Sequence, residues 1–142
     1  MKRRRALLTL IPGLAGSTAL LRAAAAESAG QTTIRGKLVT GPNPILSIGP
    51  RQVKLSGDEP TMGVLKDDRL NGVDFEAIGT AKSQDDLAID KIHTRSMFVH
   101  KDGKRLMVTY WCDVCYIRTY TPGICWCCQK NTDLDLRESI TD

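Results

Sequence analysis

No cysteine occurs in the first 111 of the chain's 142 residues, so a disulfide framework spread along the sequence is excluded. Histidine is almost as scarce: only His93 and His100 are present, and both read as surface or turn residues rather than metal ligands. Neither joins serine and an acid in a recognisable nucleophile motif. Asp67-Asp68 and Asp85-Asp86 read as solvated turns, not as an acid/base pair. Beyond residue 26 there is no internal repeat, no low-complexity tract and no long helical periodicity, which argues against an all-helical fold.

What is present begins with a cationic start. Lys2, Arg3, Arg4 and Arg5 precede an apolar stretch over residues 6–21, and Ala23, Ala24, Ala25 and Ala26 follow. A basic start, an apolar middle and small residues at the end are the layout of a secretory signal over residues 1–26, with residues 27–31 as a linker. A membrane anchor is disfavoured. A span needs about 20 predominantly apolar residues, and Pro12, Gly13, Gly16, Ser17 and Thr18 interrupt this run before Arg22. The stretch Arg4-Arg5-Ala6-Leu7-Leu8 resembles a twin-arginine export signal, which implies transport of an already folded protein. The expected location is therefore periplasmic or secreted. The whole chain carries 20 basic and 16 acidic residues, but five basic residues (Lys2, Arg3, Arg4, Arg5 and Arg22) leave with the signal. The remaining 15 against 16 make the processed chain about −1, so nucleic-acid binding has little electrostatic support.

From Thr32 onward, β-branched residues occur in short runs bounded by glycine and proline, as in TTIRGKLV, then Gly41-Pro42-Asn43-Pro44, then ILSIGPRQVKLSG. Residues 61–66 form one helical turn, and Leu65 and Leu70 cover an open end of the sheet. After Asn71-Gly72, Val73, Phe75 and Ala77 alternate with Asp74, Glu76 and Ile78, the pattern of a half-buried strand. Residues 87–92 are a further strand, with Leu87 and Ile89 on one face. The clearest local signal is Asp102-Gly103 between two β-rich runs, because both turn positions of a two-residue hairpin need positive φ. That turn pairs Lys101 with Lys104 and Val99 with Leu106, and turns Met97, Val99, Leu106, Val108 and Tyr110 toward the core. The expected fold is mainly β: a small OB-like barrel or sandwich over residues 32–110.

All five cysteines fall in YWCDVCYIRTYTPGICWCCQKNTDLDL, residues 110–136. Two C-x-x-C pairs, Cys112/Cys115 and Cys125/Cys128, are separated by nine residues, and Cys127 is left over. A tight turn between two thiolates points both sulfurs to one side, and two such turns opposed on a hairpin build a tetrahedral four-sulfur site. Thr121-Pro122-Gly123 is the turn that brings the second pair back over the first. Five of the seven aromatic residues share this segment and read as apolar packing around a small metal knob.

The same residues resemble the short heavy-metal-binding module found near copper- and zinc-handling transporters. The positions carrying the resemblance are Tyr110, Cys112, Cys115, Pro122, Gly123, Cys125 and Cys128. In that module the second ligand is usually histidine, here Cys115, and glycine and methionine follow the second pair, here Gln129 and Lys130. These differences imply a zinc-ribbon-like site with Cys112, Cys115, Cys125 and Cys128 as ligands, to zinc, with iron and copper as alternatives.

Two other uses of the thiols stay open: structural disulfides, which an oxidising compartment favours, and a redox-active pair. Trp111-Cys112-Asp113-Val114-Cys115 imitates a thioredoxin-type active site, although only 27 residues follow Cys115, too few for the rest of that fold. Covalent haem attachment is excluded, since Tyr116 and Gln129 stand where histidine is required. The sequence thus describes an exported, non-catalytic metal-binding protein: a β-domain, a cysteine hairpin over residues 111–136 and a polar tail over residues 137–142. Its expected role is metal handling or docking to a protein partner in the cell envelope. The alternatives are a thiol-disulfide oxidoreductase or redox sensor, an OB-type nucleic-acid binder and a secreted disulfide-stapled β-domain.

Overall fold

Three strands open the fold, the first two cut short by a Gly-Pro pair and the third by Gly57-Asp58. In a computed structural model that describes residues 30–139, they are β1 (Thr32–Val39), β2 (Ile45–Ile48) and β3 (Arg51–Ser56), paired antiparallel in that order. The signal segment and residues 27–29 of the linker lie outside the described residues. The register places Leu38 beside Leu46 and Leu46 beside Val53, so one core layer is built from three buried residues on adjacent strands.

Helix α1 (Glu59–Leu65) follows β3. It starts two residues earlier than the sequence suggests, because the Asp58 carboxylate accepts from the Thr61 N–H at 3.0 Å and Pro60 suits the first turn. A 3₁₀ turn, Asp68–Leu70, is capped in the same manner by Asp67. Val64, Leu65 and Leu70 are fully buried in the core that the strands enclose. Burial of each such side chain contributes about 1.5–3 kcal/mol.

Strands β4 (Asp74–Ser83) and β5 (Asp86–Ile89) complete a closed five-stranded barrel in the order β1-β2-β3-β5-β4 and back to β1. Antiparallel β1–β4 pairing and parallel β3–β5 pairing make the closure. Phe75, Ala77, Leu87 and Ile89 point inward as the alternation requires.

A short helix, α2 (His93–Ser96), leads into β6 (Met97–Lys101), which takes up the edge of β4 where β5 leaves it. Asp102 and Gly103 have φ of 53° and 75°, so the hairpin forms at the expected turn, with Lys101 opposite Lys104 and Val99 opposite Leu106. Met97, Val99, Val108 and Tyr110 are buried; Leu106 is half-buried. Phe98 is buried too, on the opposite face, beneath the Arg105 guanidinium. The second hairpin strand, β7 (Lys104–Cys112), runs to the first cysteine. β8 (Ile117–Thr119) pairs with its end, and β9 (Asp133–Glu138) pairs along it from Leu106 to Trp111. β9 includes Arg137 and Glu138, which the sequence reads as tail, because pairing with β7 continues to Leu106. Leu134 and Leu136 of β9 pack against the core. The cysteine segment is therefore joined to the barrel on both sides by strands of one sheet.

Candidate metal centre

The two C-x-x-C turns are built alike. The Tyr116 N–H donates to the Cys112 carbonyl at 2.9 Å, and the Gln129 N–H donates to the Cys125 carbonyl at 2.7 Å. Each loop is released by a residue in the left-handed region, Tyr116 at φ 56° and Gln129 at φ 61°. The second loop is a small hairpin of its own, held by the Cys125 N–H to the Lys130 carbonyl (2.8 Å) and the Thr132 N–H to the Gly123 carbonyl (2.9 Å).

The loops bring together all four predicted residues. The Sγ atoms of Cys112, Cys115, Cys125 and Cys128 lie within 4.8 Å of one another, and those of Cys112 and Cys128 are 3.5 Å apart. Four Zn–S bonds of about 2.3 Å in a tetrahedron require sulfurs about 3.8 Å apart. A disulfide requires about 2.05 Å. All five cysteines are free thiols, and the four converging sulfurs fit a single tetrahedral cation.

Backbone N–H groups converge on the sulfurs. The Cys115 N–H lies 3.4 Å from the Cys112 Sγ. The N–H groups of Cys128 and Cys127 aim at Cys125 and lower its thiol pKa to about 7. The Cys115 thiol is raised instead, foremost by its hydrogen bond with the Cys127 thiol and then by burial. Four thiolates this close repel one another, so the arrangement as a set of anions calls for a cation at its centre. Cys112 and Cys125 are buried at 1% and 2% exposure, Cys115 and Cys128 are half-buried, and Cys127 faces solvent.

Neither histidine joins the cluster. His93 donates from Nδ1 to the Tyr120 carbonyl (2.9 Å), leaving Nε2 to accept from the Thr61 hydroxyl (3.2 Å); it ties the loop between the two cysteine pairs to α1. His100 pairs with Glu76 at 3.0 Å on the outside of the sheet. The aromatic residues do not form packing around the knob. Only Tyr110 is fully buried, whereas Tyr116 and Trp126 are 76% and 78% exposed. Val114 and Ile124, in and beside the same two loops, are exposed as well. Short loops with sulfurs turned inward leave the residues between and after the cysteines pointing out, which the clustering of aromatics in the sequence does not reveal.

Two arginines position the segment without signalling their role in the sequence. Arg118 reaches Thr109 Oγ1 at 2.6 Å and Asp135 Oδ2 at 2.8 Å and lies over the Trp111 ring, joining β7, β8 and β9. Arg69, paired with Asp67, donates to the Thr132 carbonyl at 3.0 Å and fixes the chain just before β9.

Comparison of the chain with protein-family models, with curated proteins and with solved structures finds no match. Among the described residues no helix is long and apolar enough to cross a membrane.

Proposed function

We propose that this chain is an exported, non-catalytic zinc-binding protein whose four-cysteine site folds the C-terminal segment and serves metal handling or docking in the cell envelope. One observation carries the reading: two turns of the same construction aim four sulfurs at one point. A closed set of four thiolates, with no open coordination position, suits structural zinc better than a catalytic ion. The exposure of Val114, Tyr116, Ile124 and Trp126 supports the docking role, since a metal knob that served folding alone has no need to present large apolar side chains. A thiol oxidoreductase is disfavoured by the burial of Cys112, which stands in the attacking position of the first pair.

The test is metal content by mass spectrometry of the purified protein, with a free-thiol count. One zinc per chain, lost in the Cys112→Ser and Cys125→Ser variants, is the expected result. Stoichiometric iron with visible absorption would reassign the metal, and pairwise-linked sulfurs without metal would overturn the proposal. Export is tested separately by finding the protein in the envelope fraction with its N-terminus cut near Ala26.

A further inference from the structure

Away from the sulfurs, the last three strands gather charge unevenly on one face. In the β7–β9 register Met107 lies opposite Arg137 and Thr109 opposite Asp135, and in the β7–β8 register Trp111 lies opposite Arg118, so by alternation these residues share a face of the sheet. A cleft of about 690 Å³ opens there, bordered by Met107, Arg118, Tyr120 and Arg137 together with Lys104 and Glu138. Small-molecule sites usually measure about 300–1,000 Å³.

The protein does not balance the charges of this cleft. Arg118 Nη1 and Arg137 Nε both donate to one oxygen, Oδ2 of Asp135, at 2.8 and 2.9 Å. Lys104 and Glu138 offset each other in a pair at 2.6 Å. Two guanidiniums against one carboxylate leave a single positive charge over. Arg118 is fixed by the Thr109 hydroxyl at 2.6 Å and by the Trp111 ring, so its orientation needs no ligand. The Nη1 and Nη2 groups of Arg137 have no protein partner among the described residues. Beside these donors stand Met107 and the half-exposed Tyr120.

We infer that this cleft binds a small organic monocarboxylate, with its carboxylate on the free edge of Arg137 beside Arg118 and its apolar body on Met107 and Tyr120. A planar carboxylate matches the guanidinium fork in both charge and geometry. One surplus charge suits a monoanion, whereas a phosphate dianion brings a second negative charge close to Asp135. The apolar side chains gain by being covered, which favours an acid with a hydrocarbon body over a bare inorganic ion. No part of this rests on the zinc reading above.

The experiment titrates the purified, isotope-labelled protein with sodium benzoate at constant ionic strength and follows backbone amide shifts by NMR, with benzamide and inorganic phosphate as comparison probes. Saturable shifts are expected at Met107, Tyr120 and Arg137, with a Kd of about 10 mM or tighter for a ligand of this size. Benzamide, of the same shape without the charge, is expected to bind at least about 10-fold more weakly. Arg137→Gln removes the surplus charge from a largely exposed side chain, and is expected to weaken benzoate at least about 10-fold with the spectrum elsewhere unchanged. Tyr120→Ala keeps the carbonyl that His93 holds, and is expected to weaken benzoate about 3-fold or more. Absence of saturable shifts, equal affinity for benzamide, or unchanged affinity in either variant overturns the inference. So does tighter binding of phosphate than of benzoate at the same amides. Should Arg137→Gln fail to fold, Tyr120→Ala and the benzamide comparison decide.

Discussion

Two residues after the paired cysteines hold backbone conformations that side chains resist. An L-residue in the left-handed region costs about 1–2 kcal/mol, whereas glycine adopts it freely and loses only part of that gain in chain entropy. Gln129 is mostly exposed, so Gln129→Gly is expected to stabilise the protein by about 0.5–1 kcal/mol, read as a rise in melting temperature. Glu76 provides a pH test. Burial pushes its carboxyl upward, but hydrogen bonds from Arg105 and His100 outweigh this and hold it below the ordinary glutamate value. A folded pKa lower than the unfolded one, about 4.3, contributes stability that is present above that pH and lost as pH falls through the folded value. Urea unfolding across the acid range is expected to show a steeper decline for the parent than for Glu76→Gln.

Among the elements, the barrel depends on two strands approaching where there is no room for a side chain. Gly79 lies where β4 is paired with both β1 and β5, and a Cβ there would run into the backbone of Ala88. Gly79→Ala is expected to destabilise the protein by about 1–3 kcal/mol or more in denaturant unfolding, since the obstruction is main chain and cannot rotate away. This close approach was not legible in the sequence, where Gly79 looks like the end of a strand. The Asp102-Gly103 hairpin was legible to the residue, because turn chemistry and alternation on both sides specify a single register. So was the cysteine cluster, whose spacing is local. β9 was missed as a strand because Asp133, Asp135, Arg137 and Glu138 break its apolar pattern; its place is decided by β7, distant in sequence. The tethers from Arg69 and His93 to the segment are equally non-local, 63 and 27 residues from their carbonyl partners.

For the whole molecule, the barrel and the cysteine segment share a sheet but differ in what stabilises them. The barrel has its own apolar core, whereas the span between β7 and β9 contains few buried residues beyond Cys125 and Thr132. Structural zinc supplies folding free energy to such segments. Addition of a strong chelator is therefore expected to raise amide hydrogen exchange over residues 113–138 while β1 to β5 stay protected.

The position of β9 gives that loss a further meaning. If the four sulfurs hold an ion and lose it, the last strand is tied to its neighbour across some twenty residues only by β8 and the tethers from Arg69, His93 and Arg118, and Leu134 and Leu136 come away more readily from the surface they cover. What is laid bare is one long margin of β7, with its amides and carbonyls unanswered. Depleted protein should then not merely slacken but stick to its own kind, so that an ion held there would guard solubility as well as shape.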